Sequence, residues 1–564
     1  MNPLSATPGL KAQDIKQIDI AHLAIADLNK LGMLWHKSSS ACNSMAARNA
    51  AQPNKLRHKS MVLESSAHRQ VAVAGCAWRA LSARNRPGKP TGRSGQTDYD
   101  PSSKLRINKL QPTDRSVQNT TIKPPPNATP LVCDVLVIGG GPAGSTVSSL
   151  LAEQGHKVVV LEKSHHPRFH IGESLLPANL PLFEAMGIAD EVKAIGMFKP
   201  GAEFVSPTHN AKQTFHFADA WNKSMPHAYQ VKRAEFDEIL IRHAARKGAE
   251  VHEGCKVTAV DFLADGGACI TARHDDERVQ QWQARFVVDA SGRDTFFANR
   301  FKIKKSNPKH NSSAVYAHFS QAQRNEGQDE GNITIFWFDH GWFWFIPLTN
   351  GTTSVGMVTW PYHIKTRGQR SLEQFLMDNI ATSPTLSARL QNATRVSPVE
   401  ATGNFSYVSE RNHGANYLML GDAYAFIDPV FSSGVWLAMN SAVIGAEAIS
   451  SCLKNPAKSA VALARFDRLM RHGPREFSWF IYRVTNPIMR DFFMHPKNVM
   501  RVKEALLSVL AGDIFGKTPI WRSILAFKML YYSANILQPR RAFRAWQQRR
   551  FNIRKVDDAV VYNA

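Results

Sequence analysis

Cysteine is scarce in this chain. Six cysteines (Cys42, Cys76, Cys133, Cys255, Cys269 and Cys452) are scattered over 564 residues, with no CxxC pair. That excludes a disulfide framework and a thiolate zinc site, so no metal is expected and a reducing cytoplasm is the expected compartment. Long apolar runs are also missing. No uninterrupted stretch reaches the roughly 18 residues a membrane-spanning helix needs. The opening residues MNPLSATPGLKAQ lack the charged start and apolar run of a secretory signal. Acid is the third shortage: 46 Asp and Glu face 69 Lys and Arg, a net charge of +23.

The acid deficit sits at the two ends. Residues 1–130 and 459–564 each hold 19 basic against 7 acidic side chains, whereas 131–458 hold 31 against 32. A neutral middle with basic ends is not the profile of a protein that coats nucleic acid, and no nucleic-acid partner is expected. The basic ends suit an acidic protein or an anionic membrane surface.

The composition divides the chain into three. Residues 1–130 contain one candidate amphipathic helix (Asp14 to Trp35), then Arg-, Pro-, Gly- and Ser-rich stretches such as RNRPGKPTGRSGQ and TTIKPPPNATP. Such stretches bury little apolar surface, and a disordered extension is expected. From Leu131 to residue 458 strand and helix patterns alternate. The apolar run VCDVLVIGGG predicts a buried parallel strand, Pro142 to Gln154 a helix, and HKVVVLEK a second strand. A long helix is predicted from Ser433 to Leu453. Residues 459–564 predict a basic helical region, helical from Ala460 to about Gln548.

The strand–turn–helix carries the first chemistry. In Gly139-x-Gly141-Pro142-Ala143-Gly144 the first glycine permits the turn, the second lets backbone approach a pyrophosphate, and the third lets the helix pack on the sheet. The helix start offers amide donors and positive potential to phosphates. Glu162 ends the second strand, where an acid accepts from a ribose hydroxyl. A dinucleotide site is therefore expected at Gly139, Gly141, Ala143, Gly144 and Glu162.

Further motifs narrow the choice. Val287-Val288-Asp289-Ala290-Ser291-Gly292 and Leu418-Met419-Leu420-Gly421-Asp422-Ala423 resemble the second and third flavin motifs of the para-hydroxybenzoate-hydroxylase-like class. That class has a Rossmann-like α/β FAD-binding domain with an inserted β-rich substrate domain, here followed by the helical C-terminal region. The resemblance implies cofactor roles for Asp289, Gly292, Gly421 and Asp422. Arg233 either lies near the flavin or is a surface arginine at a helix end. Gly172-Glu173-Ser174, the string Trp342-x-Trp344-x-Ile346-Pro347, the turn after Asp428 (Ser432-Ser433-Gly434) and Lys199 in GMFKPGAEF together resemble the flavin-dependent halogenases. The set is most similar to the branch acting on phenols and pyrroles, often on carrier proteins.

That resemblance implies a cycle. A separate flavin reductase supplies reduced FAD, since no second GxGxxG for a nicotinamide is present. Dioxygen and chloride or bromide complete the inputs. Ser433 and Gly434 are the implied halide site, and a small anion suits backbone amides at a helix start. Glu173 and Ser174 are placed with the cofactor. Trp342 and Trp344 are implied to line the channel that carries hypohalous acid to Lys199, the implied catalytic residue. An amine suits that task, because burial lowers its pKa. Phe431 stands where the tryptophan-specific members carry a glutamate, which favours a phenol, pyrrole or aryl-polyene ring, free or on an acyl carrier protein. The rivals are a flavin hydroxylase or isoprenoid reductase on the same scaffold, and a flavoprotein whose basic ends dock nucleic acid or membrane. Peripheral membrane contact is the competing use of the C-terminal end around Trp546.

Overall fold

The strand Leu131–Ile138 begins exposed at Leu131 and Val132, and from Val135 on it is apolar without alternation because both of its faces are covered. Val135, Leu136 and Val137 are fully buried. It pairs in parallel with Val279–Asp289 on one side and Val158–Leu161 on the other. Tyr417–Met419 adds a further parallel strand beside Val279–Asp289, and Glu250–His252 lies outside Val158–Leu161. Ile138 is in register with Asp289, and Asp289 with Met419. The loops after these three strands therefore open on one edge of the sheet, where ligands of such sheets bind. The structure, a computed structural model, describes residues 129–403, 406–516 and 518–553. The expected helix Asp14 to Trp35 and the rest of the extension to residue 128 lie outside these.

The helix Pro142–Glu153 starts on proline, whose missing N–H costs nothing there, and it packs against the long helix Ser433–Lys454. The long helix spans 22 residues with mean hydropathy 1.2, and 67% of that stretch is buried. Among the described residues it alone is long and apolar enough to cross a membrane. Its apolar faces are spent against Pro142–Glu153 and the helix Ser459–Ile481.

The second sheet runs in the order Thr394–Arg395, Ser313–Ser320, Thr352–Thr359, Gly341–Pro347, Ile333–Phe338, Gly201–Ser206, Ala211–His216. All its pairings are antiparallel except Ile333–Phe338 with Gly201–Ser206. Trp342 and Trp344 share one face and pack in a single apolar cluster with Phe480, Phe493, Leu507 and Phe527 of the C-terminal helices. The second sheet and the C-terminal helices thus share one core. Those helices are shorter than the sequence pattern suggests: Ser459–Ile481, Pro487–Met494, Val502–Leu510, Trp521–Leu537 and Pro539–Asn552. Prolines 487 and 539 each open a new helix, and the Asn486 side chain caps the first by accepting from the Ile488 amide.

Gly144 is fixed by packing. A Cβ there would lie 1.9 Å from the Gly139 carbonyl oxygen, so backbone must move. Gly144→Ala is expected to cost more than about 3 kcal/mol, beyond ordinary overpacking. Chemical denaturation checks this; a variant within about 1 kcal/mol of the parent would contradict it.

Candidate functional site

The three motif loops and one face of the second sheet enclose a cavity of about 1000 Å³, large for a small-molecule site. Gly139, Gly141, Ala143, Glu162, Gly292 and Asp422 all line it, together with Glu173, Ser174, Arg233, Gly434, Trp342 and Trp344. Residues as far apart in sequence as Gly139 and Gly434 are thereby brought to one cavity.

The cavity fits an FAD. Gly139 has φ +100°, and a Cβ there would meet the Ala290 carbonyl at 2.5 Å, so only glycine makes this turn. At Gly141 the nearest atom to a Cβ would be Arg168 Nη2 at 3.7 Å, so its backbone faces open cavity. Glu162 accepts from the Gly140 amide at 2.7 Å and the Ser164 amide at 3.0 Å, which aims its carboxylate and leaves lone pairs for a hydroxyl. Burial raises the Asp422 carboxyl to about 6, against the pull of Arg293 and Arg233. Glu173 Oε2 is buried on the cavity wall without a hydrogen-bond partner, an acceptor that a ligand N–H can satisfy.

Arg233 is no surface residue. It is 6% exposed, donates to both Asp237 oxygens at 2.8 and 3.0 Å, and holds the Ile171 carbonyl at 3.0 Å. It thereby fixes the segment leading into Gly172-Glu173-Ser174 on the cavity wall.

Four expected site residues stand off the large cavity. Asp289 is fully buried and spends its oxygens on the Ser291 amide and hydroxyl and the Phe297 amide, so it braces the second loop. Gly144 serves helix packing. Gly421, at φ +51°, donates its amide to Ser441 Oγ and turns the third loop. Ser433 begins the long helix with its side chain toward a small separate hollow, while the preceding Ser432 faces the cavity. Ser432 is in the left-handed region at φ 55°. That conformation turns the residue toward the cavity wall, so Ser432 and Gly434 are the turn residues a halide there would meet.

Lys199 also lies behind the wall. It is 1% exposed, and its Nζ donates to Ser174 Oγ at 2.9 Å and to the Leu175 carbonyl at 2.8 Å, with the Phe217 ring at 5.4 Å. No carboxylate pairs with it, and burial lowers its pKa from 10.5 to about 7. Ser174 Oγ receives a second hydrogen bond from Ser432 Oγ at 3.0 Å. Helix-start turn, serine and buried amine thus form one hydrogen-bonded line across the wall. The strand Ala228–Gln230 holds both halves. It pairs with Met197–Lys199, and Gln230 bridges to Ser174.

Several neighbours escaped the sequence reading. Arg168 lies between Glu162 and Asp237, 3.8 and 3.3 Å away, and lines the cavity. His318 binds Glu173 Oε1 at 2.8 Å. His170 has its pKa pushed down to about 4, first by burial and then by Arg233, which keeps it neutral. Asp428 accepts from the Val430 amide at 3.0 Å, Ser312 Oγ at 3.0 Å and His310 Nε2 at 2.7 Å, fixing the turn before Ser432. Arg168 and His170, inside RFHIGES, and Asp428, at the head of the serine turn, stood within motifs and were close enough to be found. The others depend on long-range pairing.

Comparison with known proteins identifies the family. The model of the FAD binding domain family matches residues 132–465. The 1H-pyrrole-2-carbonyl-[peptidyl-carrier protein] chlorinase of Pseudomonas fluorescens is 30% identical over 407 residues, which are 68% of this chain and 89% of that protein. The tryptophan 2-halogenase of Chondromyces crocatus is 34% identical over 341 residues, 59% of this chain and 64% of that protein. The crystallised myxobacterial chondrochloren halogenase superposes with a TM-score of 0.60 at 32% identity, over 70% of this chain and 93% of that one.

Two outcomes follow from the site. Gly141→Val places a branched side chain in the open cavity without a clash in the fold, so flavin fluorescence quenching should be lost while the thermal midpoint holds; unchanged quenching would contradict the assignment. Between about 7 and 10.5 the unfolded Lys199 carries a proton that the folded one does not, so stability rises with pH across that window. Below about 7 the cost of the buried charge is fully present. Lys199→Met should therefore raise the thermal midpoint more at pH 7 than at pH 10, and an equal change at both would contradict the buried-amine reading.

Proposed function

The chain belongs to the flavin-dependent halogenases, and from that membership we propose that it halogenates an electron-rich aromatic acyl group, phenolic, pyrrolic or aryl-polyene, presented on a carrier protein. The observation that carries this reading is the line Ser432–Ser174–Lys199, which joins the cavity to a buried amine. A separate flavin reductase is the proposed source of reduced cofactor. Bound reduced FAD with dioxygen supplies the oxidising power that turns halide into hypohalous acid.

The chain's own residues do the rest. Amides at the start of the helix Ser433–Lys454 hold halide against the cavity, beside Ser432, whose hydroxyl proton is given to Ser174. The carboxylate of Asp428 does not oppose an anion there, because three donors already engage it. Trp342, Trp344, Ile333 and Ile346 form the opposite wall and exclude water, which keeps the oxidant from escaping. Ser174 Oγ lies between the cavity and Lys199 Nζ and passes a hydrogen bond in either direction. With a pKa of about 7 the amine is present in both forms near neutrality. As ammonium it donates a proton to the oxygen of hypohalous acid, sharpening the halogen's electrophilicity. As free amine it takes the halogen, forming N–halogen as O–halogen breaks, and the departing hydroxide leaves as water with the amine's proton. Either form presents halogen to the ring.

The carrier reading is supported by the chlorinase relative, whose name specifies a pyrrole on a peptidyl-carrier protein, and by Phe431, which leaves no glutamate beside the turn to assist a less activated ring.

Lys199→Ala should lower bromide-dependent product by at least about a hundredfold while reduced flavin is still oxidised by dioxygen. Lys199→Arg should not restore it, since a guanidinium stays charged. Product near the parent rate in either variant would remove Lys199 from the mechanism. Offering one aromatic acid free and carrier-loaded, with mass spectrometry of both, decides the substrate form; preference for the free acid would overturn the carrier reading.

A further inference from the structure

The helices Trp521–Leu537 and Pro539–Asn552 turn an apolar surface outward. On the first, Ile524, Phe527 and Tyr531 are buried in the shared core. A second row on the same helix, Trp521, Leu525, Met529, Tyr532 and Ile536, is exposed, rising from 37% at Trp521 to 77% at Ile536. These positions fall within about 80° of arc and run about 22 Å along the helix. Leu537, 80% exposed, marks the corner into the second helix. There Phe543 and Trp546 stack at 5.7 Å, and they are 56% and 41% exposed. A ridge of this length is not the scatter of single apolar residues normal on a protein surface.

The ridge's own two helices carry charge of one sign, and two of their cations, Lys528 and Arg541, are paired with Glu476 and Asp491 of neighbouring helices. Residues 514–553 hold eight Lys and Arg and no Asp or Glu. Arg522, Arg540, Arg544 and Arg550 are exposed. Exposed aliphatic and aromatic side chains flanked by arginine form the pattern of helices that lie in a lipid interface. The ridge's most exposed side chains, Ile536 and Leu537, stand together at the corner between the two helices, where both can enter an interface at once. Residues 1–130 of this chain carry the same positive sign, so they are a poor complement.

We propose that the two terminal helices dock this enzyme on an anionic lipid surface, with Ile536, Leu537, Phe543 and Trp546 inserted at the interface and the arginines on the headgroups. The segment expected from its charge to meet an acidic carrier or a membrane is thus assigned to lipid, by the apolar ridge that charge alone did not reveal. The inference is independent of the aromatic substrate.

The full chain, loaded with FAD, is sedimented with vesicles of phosphatidylcholine alone and of phosphatidylcholine with phosphatidylglycerol. Co-sedimentation is expected with the anionic vesicles and to fall as salt rises. Ile536→Asp with Leu537→Asp should weaken it roughly tenfold or more, and Arg540→Glu with Arg544→Glu likewise, with flavin binding unchanged in both. Equal binding to neutral and anionic vesicles, or equal binding by both double variants, would overturn the proposal. So would self-association without lipid, or binding of an acyl carrier protein, if the Ile536/Leu537 variant abolishes it.

Discussion

A buried amine without an opposing carboxylate is the constraint around which the site is arranged. Taking an ammonium out of water is unfavourable, and nothing ionic repays it at Lys199. The fold offers only a hydroxyl, a carbonyl and an aromatic face. The amine is therefore held between two protonation states near neutrality, the condition the proposed donor and nucleophile roles require. Its hydroxyl partner faces the cavity on the other side, so the sealed position is not an isolated one.

Much of the scaffold exists to hold that line in place. Arg233 binds Asp237 and the carbonyl of Ile171, and so fixes the approach to Glu173 and Ser174. The short strand Ala228–Gln230 pairs with both the Lys199 strand and Ser174. Asp428, locked by His310 and Ser312, sets the turn that delivers Ser432. Buried acids in this chain mostly carry such bracing roles, as Asp289 does for the second loop. Asp237, Asp289 and Asp428 are each engaged by several donors, which is the condition under which buried charge is tolerated.

What could be read in the sequence was local. The strand before Gly139, the glycine turn and the helix after it declare themselves within about thirty residues, as a βαβ unit does. The motif around Lys199 singled the residue out, but its partners were not legible, because Ser174, Leu175 and Phe217 reach it from other segments. Asp289 sits in a flavin-like motif yet turns inward, a difference of side-chain direction that a motif does not encode. The same holds for the serine pair at the start of the long helix, where Ser432, in the left-handed region, lines the large cavity and Ser433 does not. In the C-terminal region the helical period was visible, whereas the breaks before Pro487 and Pro539 and the outward apolar row depended on which face the core selects.

The most direct test of the central claim is the titration of Lys199 itself. Lysine side chains labelled with carbon-13 at Cε can be followed by NMR against pH, with the resonance assigned by its loss in Lys199→Met. The account predicts one lysine titrating near pH 7, well below the ordinary value of 10.5. A Lys199 resonance that stays unchanged until the range of free lysine would contradict it.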